Sequence, residues 1–336
     1  MSSSMIRAAL GAVLCVTVPA LWALPTQYHL QDLGAGSLAV HINANGVAAG
    51  TDTRSGHHAP VYWVDGQMQW LSNPYPEGDA TWINDRGVVV GTVEPYYPSA
   101  AYWTSYGVFA DIGSALGMLA SYITSINDKG DCIIYAVADE ESTLSYLAPK
   151  CNISKMVMLS WDVRGVAINA NDQIALTEDS RSGRHRAYLY SDGTYTDLGM
   201  LAGYIQSLAT DLNGDAHVVG TSADAAYDLR EGFFWNGTTM LGVGTLGGER
   251  SEANAVNNLD VVVGSAQTRK GKWHAFVRDM HAAGSRPHDL SRMLDSSGAG
   301  WSLDSAVSIN KSGQILVHGT APGDAVPRSA ILTPLD

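Results

Sequence analysis

Histidine is the side chain that most often binds a metal or carries a proton near neutral pH, and the chain has ten. Only His57 and His58 are adjacent, and no spacing among the ten suits a zinc set. His58, His185 and His274 open the similar phrases "HHAPVYW", "RHRAYLY" and "KWHAFV". They read as corresponding positions at the start of a strand, bonding to a neighbouring loop. The run "NDKGD" (Asn127 to Asp131) begins like a calcium loop but lacks the later Glu. There is no G-x-S-x-G, no H-E-x-x-H, no P-loop and no G-x-G-x-x-G after a strand. Among the 33 Asp and Glu a pair for glycoside chemistry could exist, but sequence gives no separation in space. No catalytic set, metal or cofactor is therefore assigned. A second chemistry is open to Tyr97, Tyr204, Tyr227 and Trp273 with cations such as Arg54, Arg230, Arg250 and Lys270. Exposed aromatic rings beside guanidinium groups suit sugar rings or a protein epitope.

Such side chains need elements to hold them, and the chain repeats itself. Ile42-Asn43 returns as Ile83-Asn84, Ile126-Asn127, Ile168-Asn169, Leu212-Asn213, Val256-Asn257 and Ile309-Asn310. The asparagines are spaced 41, 43, 42, 44, 44 and 53 residues apart. Three residues before the aliphatic stands Ala39, Ala80, Gly165, Ala209, Ala253 or Ala306, with Ile123 the exception. Four residues after it stands Gly46, Gly87, Gly130 or Gly313, with Asp172, Ala216 and Asp260 in the other copies. An aliphatic run, an aromatic-rich piece and an Asp-Gly or Asn-Gly turn follow. Each unit reads as four short antiparallel strands, the size of one propeller blade. Asn43, Asn84, Asn127, Asn169, Asn213, Asn257 and Asn310 read as turn residues, because Asn bonds to backbone two residues on and Gly accepts positive φ. The small residue is expected where neighbouring blades crowd around the axis.

The last unit ends after three strands, while "QYHLQDL" (Gln27 to Leu33) is a spare strand before the first Ile-Asn. The prediction is an all-β, seven-bladed β-propeller of four-stranded blades, its ring closed by the N-terminal strand. An open solenoid is the alternative. The turns after strand one are short and uniform. The loops on the opposite face are long and varied, and variable loops on a rigid scaffold are where function is placed. Arg250 and Trp273 lead the candidates there, with Tyr204, Tyr227 and Tyr97.

The copy "GTLGGERSEANAVNNLDVVVGS" followed by "HAF" resembles the HAF repeat family of extracellular bacterial proteins. Gly244, Leu246, Gly247, Gly248, Ser251, Ala253, Asn257, Gly264 and His274-Ala275-Phe276 carry the match. It departs at Val256 and Asp260, and the units around Ile126 and Ile168 depart most. The resemblance implies repeats and secretion, not a catalytic activity.

Residues 1–23 read as a signal peptide, with Arg7, an apolar run to about Trp22 and small Ala23. Residues 24–336 then form the single propeller domain, with no membrane span after cleavage. The net charge of −13 speaks against nucleic acid and against adhesion to an anionic membrane. Cys132 and Cys151 are the two cysteines left after cleavage. In an oxidising compartment they are expected to pair. A hairpin turning near residue 141 would set them directly opposite, roughly 4.5–5.5 Å apart at Cα. Two reduced, buried thiols are the alternative. The expected protein is a secreted or periplasmic monomer that binds a glycan or a protein. A secreted polysaccharide lyase or hydrolase is the alternative.

Overall fold

The computed structural model describes residues 24–335, apart from 105–106, 141, 180–183 and 283. The segment read as a signal peptide, residues 1–23, lies outside the described residues. Seven four-stranded antiparallel sheets form the blades of a β-propeller. Blades 1 to 6 span 37–70, 78–111, 120–161, 163–197, 206–242 and 247–289. Blade 7 takes Ser302–Ile309, Ile315–Thr320 and Arg328–Leu335 from the C-terminus and Gln27–Ala35 from the N-terminus. The closing strand pairs Gln27 with Leu335, Leu30 with Leu332 and Asp32 with Ala330. Its alternation puts Tyr28 and Leu30 in the core, and Leu33 is buried too where the register shifts between Asp32 and Ala35. No described helix is long and apolar enough to cross a membrane.

Each blade carries a β-bulge at one place in its innermost strand, one residue after the repeated small residue or, in blade 3, after Ile123. Bulges re-aim a side chain, and in four blades the extra residue is polar and reaches the next blade. Thr81 Oγ1 donates to Ile123 O at 2.8 Å, Thr124 Oγ1 to Gly165 O at 2.7 Å, and Thr210 Oγ1 to Ala253 O at 2.8 Å. Asn254 Nδ2 reaches Ala306 O at 2.9 Å. Crowding also has a direct form: a Cβ on Gly165 would strike Ile133 of the preceding blade, and one on Gly50 would collide with the Leu38 carbonyl oxygen.

Cys132 and Cys151 form a disulfide, with Cα atoms 5.0 Å apart. The route differs from direct opposition. Cys132 pairs across the hairpin with Ala148, not with Cys151. After Ala148 the chain turns through Pro149–Cys151, with Lys150 and Cys151 at φ of 54° and 50°. That turn brings Cys151 back over the strand start. It is held by Lys150 N–H donating to Asp131 Oδ1 at 2.9 Å.

Candidate functional site

The seven repeated asparagines meet at one end of the axial channel. In every copy with both bonds present, Oδ1 accepts the backbone N–H groups two and four residues on, as Asn84 does from Arg86 (3.1 Å) and Val88 (2.9 Å). That bonding locks the turn between strands one and two. The fourth turn residue sits at positive φ whether it is Gly46 (76°), Asp172 (61°), Ala216 (61°) or Asp260 (54°). Each Nδ2 also donates to the carbonyl of the corresponding Asn in the next blade. The bonds run from Asn43 to Asn84 (3.0 Å), Asn127 (2.9 Å), Asn169 (3.1 Å), Asn213 (3.0 Å), Asn257 (3.0 Å) and Asn310 (3.3 Å). Asn310 Nδ2 donates to Asn43 O at 2.9 Å and closes the circuit. The asparagines are 3–7% exposed, so these bonds are made away from bulk water. One amide group thus shapes its own blade and ties it to the next.

This end of the channel holds a cavity of about 230 Å³. In three blades the residue before the aliphatic lines it as well, and all three are large or ionisable: His41, Trp82 and Asp211. His41 stacks on Trp82 with ring centroids 3.9 Å apart. Burial pulls its pKa down to about 3, against smaller opposing effects of the Ile83 backbone and Asp85. Asp211 is pushed up to about 7 by burial, although its carboxylate accepts the N–H groups of Val256 (3.0 Å) and Leu212 (2.8 Å). The signs are opposite. Lowered His41 makes the unfolded chain bind the extra proton, so its contribution is lost as pH falls from about 6.5 toward 3. Raised Asp211 makes the folded chain bind it, so that contribution is lost as pH rises from about 4 toward 7. We expect His41→Phe to gain stability relative to the parent as pH is lowered from 6.5 to 4. Urea unfolding at several pH values checks this; a difference constant with pH would contradict it.

On the opposite, loop-bearing face the structure joins two of the aromatic candidates. The guanidinium of Arg230 lies 5.1 Å from the Tyr227 ring centre and 5.0 Å from that of Trp273. It pairs with Glu252 and donates to Tyr227 O at 2.9 Å. Tyr227 itself is at φ 61°, in the tight turn between strands two and three of blade 5. Arg230 is therefore the centre of a stack spanning blades 5 and 6, although by sequence it is one cation among several. Its signal was the spacing of three residues from Tyr227 across that turn.

The other candidates are placed apart. Tyr204 is half-buried in the connection from blade 4 to blade 5, and its hydroxyl pKa is raised by burial and by Glu231 and Asp224. Arg250 is half-buried in the first part of strand Gly247–Val256 and lines neither described cavity. Tyr97 is exposed in blade 2, edge-on to Tyr96 at 5.1 Å. The three histidines do not share one position. His58 and His185 precede or begin strand three, whereas His274 is one residue further in, after Trp273. Their partners differ accordingly: Asp79 for His58 (3.3 Å), the Glu178 carbonyl for His185 (3.2 Å) and Asp289 for His274 (2.9 Å). Among the described residues no group of three or more His, Cys, Asp or Glu could hold a metal ion.

No family model and no curated protein matches the chain in sequence. Solved structures do match in shape. The β-propeller domain of the Trilobed protease from Pyrococcus furiosus aligns at a TM-score of 0.59 and 10% identity, over 92% of this chain and 96% of that one. It is described as having an open velcro topology, whereas here the N-terminal strand closes the ring. Oligogalacturonate lyase in complex with manganese aligns at 0.59 and 10% identity, over 94% and 99% of the two chains. An acylaminoacyl peptidase from Pyrococcus horikoshii aligns at 0.53 and 12% identity, over 88% of this chain. The chain spans about half, 52%, of that peptidase. At such identities the likeness is one of fold alone: this chain has the β-propeller shape found in both peptidases and a lyase.

Proposed function

We propose that the protein is a binding scaffold acting outside the cytoplasm, secreted or periplasmic, which as a monomer takes a glycan or a protein on its loop-bearing face. The observation that carries this reading is the Tyr227–Arg230–Trp273 stack, an aromatic and cationic platform built from one turn residue and the first residues of two strands on a rigid ring. Arg230 forms its centre, between Tyr227 and Trp273; Tyr204 and Arg250, which lie apart from the stack, add contacts only for a ligand that extends beyond it. Tyr97, on a more distant blade, adds a contact only for a ligand long enough to cross the face. The disulfide is compatible with an oxidising compartment. The resemblance to the HAF repeat family supports secretion.

The competing reading, a lyase or hydrolase, is served less well by the channel. Its two perturbed groups are committed elsewhere: His41 stacks on Trp82, and Asp211 accepts two backbone N–H groups. We expect Tyr227→Ala with Trp273→Ala to weaken retention on the protein's glycan or protein ligand by about tenfold or more, the loss typical of aromatic anchors. Retention is read by immobilised-ligand binding, with circular dichroism confirming the fold. Undiminished retention by the folded double variant would contradict the site.

A further inference from the structure

Blade 6 carries a second feature on the same face, an open cleft of about 1160 Å³. Its lining includes Arg269, Lys270, Lys272, Arg286 and Arg292, five of the chain's 20 Lys and Arg, on a protein whose net charge is −13. The cations come from two walls. Arg269, Lys270 and Lys272 belong to the turn between strands two and three. That turn is fixed by Thr268 N–H donating to Lys272 O and Gly271 N–H to Thr268 O, both at 2.8 Å. Arg286 and Arg292 flank the outer strand His288–Asp289. The one carboxylate in the lining, Asp289, is turned into the wall. It meets His274 Nδ1 at 2.9 Å and Arg292 Nε at 3.5 Å, and accepts Ser291 N–H at 3.0 Å. Among the described residues no carboxylate pairs with Arg269, Lys270, Lys272 or Arg286. Like charges gathered without counter-charges repel one another, and a bound anion relieves that.

Beside the cations the lining includes the apolar side chains of Leu246, Pro287 and Met293. A free phosphate or sulfate has no use for such apolar groups. A pyranose ring does: its C–H face packs on apolar groups while its substituents reach polar ones. Duplex nucleic acid and anionic membranes present wide anionic surfaces, which the acidic body around the cleft would repel. We propose that this cleft binds a carboxylated polysaccharide, a uronate chain whose carboxylates seat on the two cationic walls. The proposal rests on the reading of the protein as a binding scaffold and gives it a ligand class. It uses different residues: Lys272 and His274 line the cleft, whereas Tyr227, Arg230 and Trp273 do not.

The test uses the chain from residue 24 and polygalacturonate, with fully methyl-esterified polygalacturonate as the uncharged counterpart. Duplex DNA and anionic phospholipid vesicles serve as competitors. Binding of the acid form and not of the ester is expected. The variant Arg269→Ser/Lys270→Ser/Lys272→Ser, all in an exposed turn, should weaken it about 30- to 100-fold, as loss of several charge-assisted hydrogen bonds does. Moving from 0.05 to 0.5 M salt should weaken it by about tenfold or more, through screening. Absence of binding to the acid form, equal binding of acid and ester, or unchanged affinity in the triple variant would overturn the proposal. So would preferential binding of DNA or vesicles. Neutral glycans or proteins held through Trp273 would in those cases leave the scaffold reading standing, so the two failures are distinct.

Discussion

A chain beginning at residue 36 is expected to lose its cooperative unfolding transition. Its missing segment, Gln27–Ala35, supplies the outer strand of blade 7 and pairs along Arg328–Leu335. Tyr28, Leu30 and Leu33 are at most 5% exposed, and each buried side chain of this kind contributes roughly 2–3 kcal/mol. Their sum is comparable with the roughly 5–15 kcal/mol that stabilises a typical domain. Deletion also leaves Trp63 Nε1 without the Leu33 carbonyl it meets at 3.1 Å, and removes the Asp32 partner of Arg328 at 2.7 Å. An exposed strand edge follows, which invites association. Thermal unfolding followed by circular dichroism measures the effect, and a peptide covering residues 24–36, added in excess, should restore the transition. A truncated chain melting like the intact one would show that closure contributes little.

Asn84→Ala is expected to cost about 3–4 kcal/mol, three hydrogen bonds, one buried and two part-buried, at about 1 kcal/mol each with some penalty for orphaned groups. The bonds lost are Arg86 N–H and Val88 N–H to Oδ1, and Nδ2 to Asn127 O. Asn84→Asp separates the two jobs. Its carboxylate keeps both turn bonds and loses only the donor to blade 3, so its cost should be about 1–2 kcal/mol. Urea unfolding in 0.5 M salt, where repulsion from Asp85 and Asp128 is screened, is the measurement. Equal costs for the two substitutions would mean that the turn bonds add nothing; a free Asp substitution would mean that the inter-blade bond adds nothing.

These asparagines show where sequence reasoning ends. Their recurrence located every blade, because a turn is a local matter and Asn-to-Gly spacing reveals it. Their second bond joins residues about forty positions apart, across a curvature that no single repeat encodes. The bulge after Ala39, Ala80 and their counterparts is not legible in sequence for the same reason: it is a pairing property, set only once the partner strand is in place. Compartment and spacing are enough to pair the cysteines, but Cys132 faces Ala148, and the turn at Pro149–Cys151 supplies the missing step. The basic cleft was invisible because its walls come from segments 268–272 and 286–292, and folding alone sets them across from each other. The spare N-terminal strand, by contrast, was legible by simple subtraction: one unit lacked a strand and one strand lacked a unit.

The central claim is that this propeller binds a ligand on its loop-bearing face and leaves it intact. One measurement addresses both halves: incubation of the chain from residue 24 with a panel of neutral and acidic glycans, scoring retention and chain length of each glycan together. The account predicts retention of at least one glycan, lost on substitution in the Tyr227–Trp273 stack or the 269–272 turn, with its length unchanged. Shortening of a retained glycan, abolished by Asp211→Asn or His41→Phe in the channel and indifferent to the loop-face variants, would contradict it.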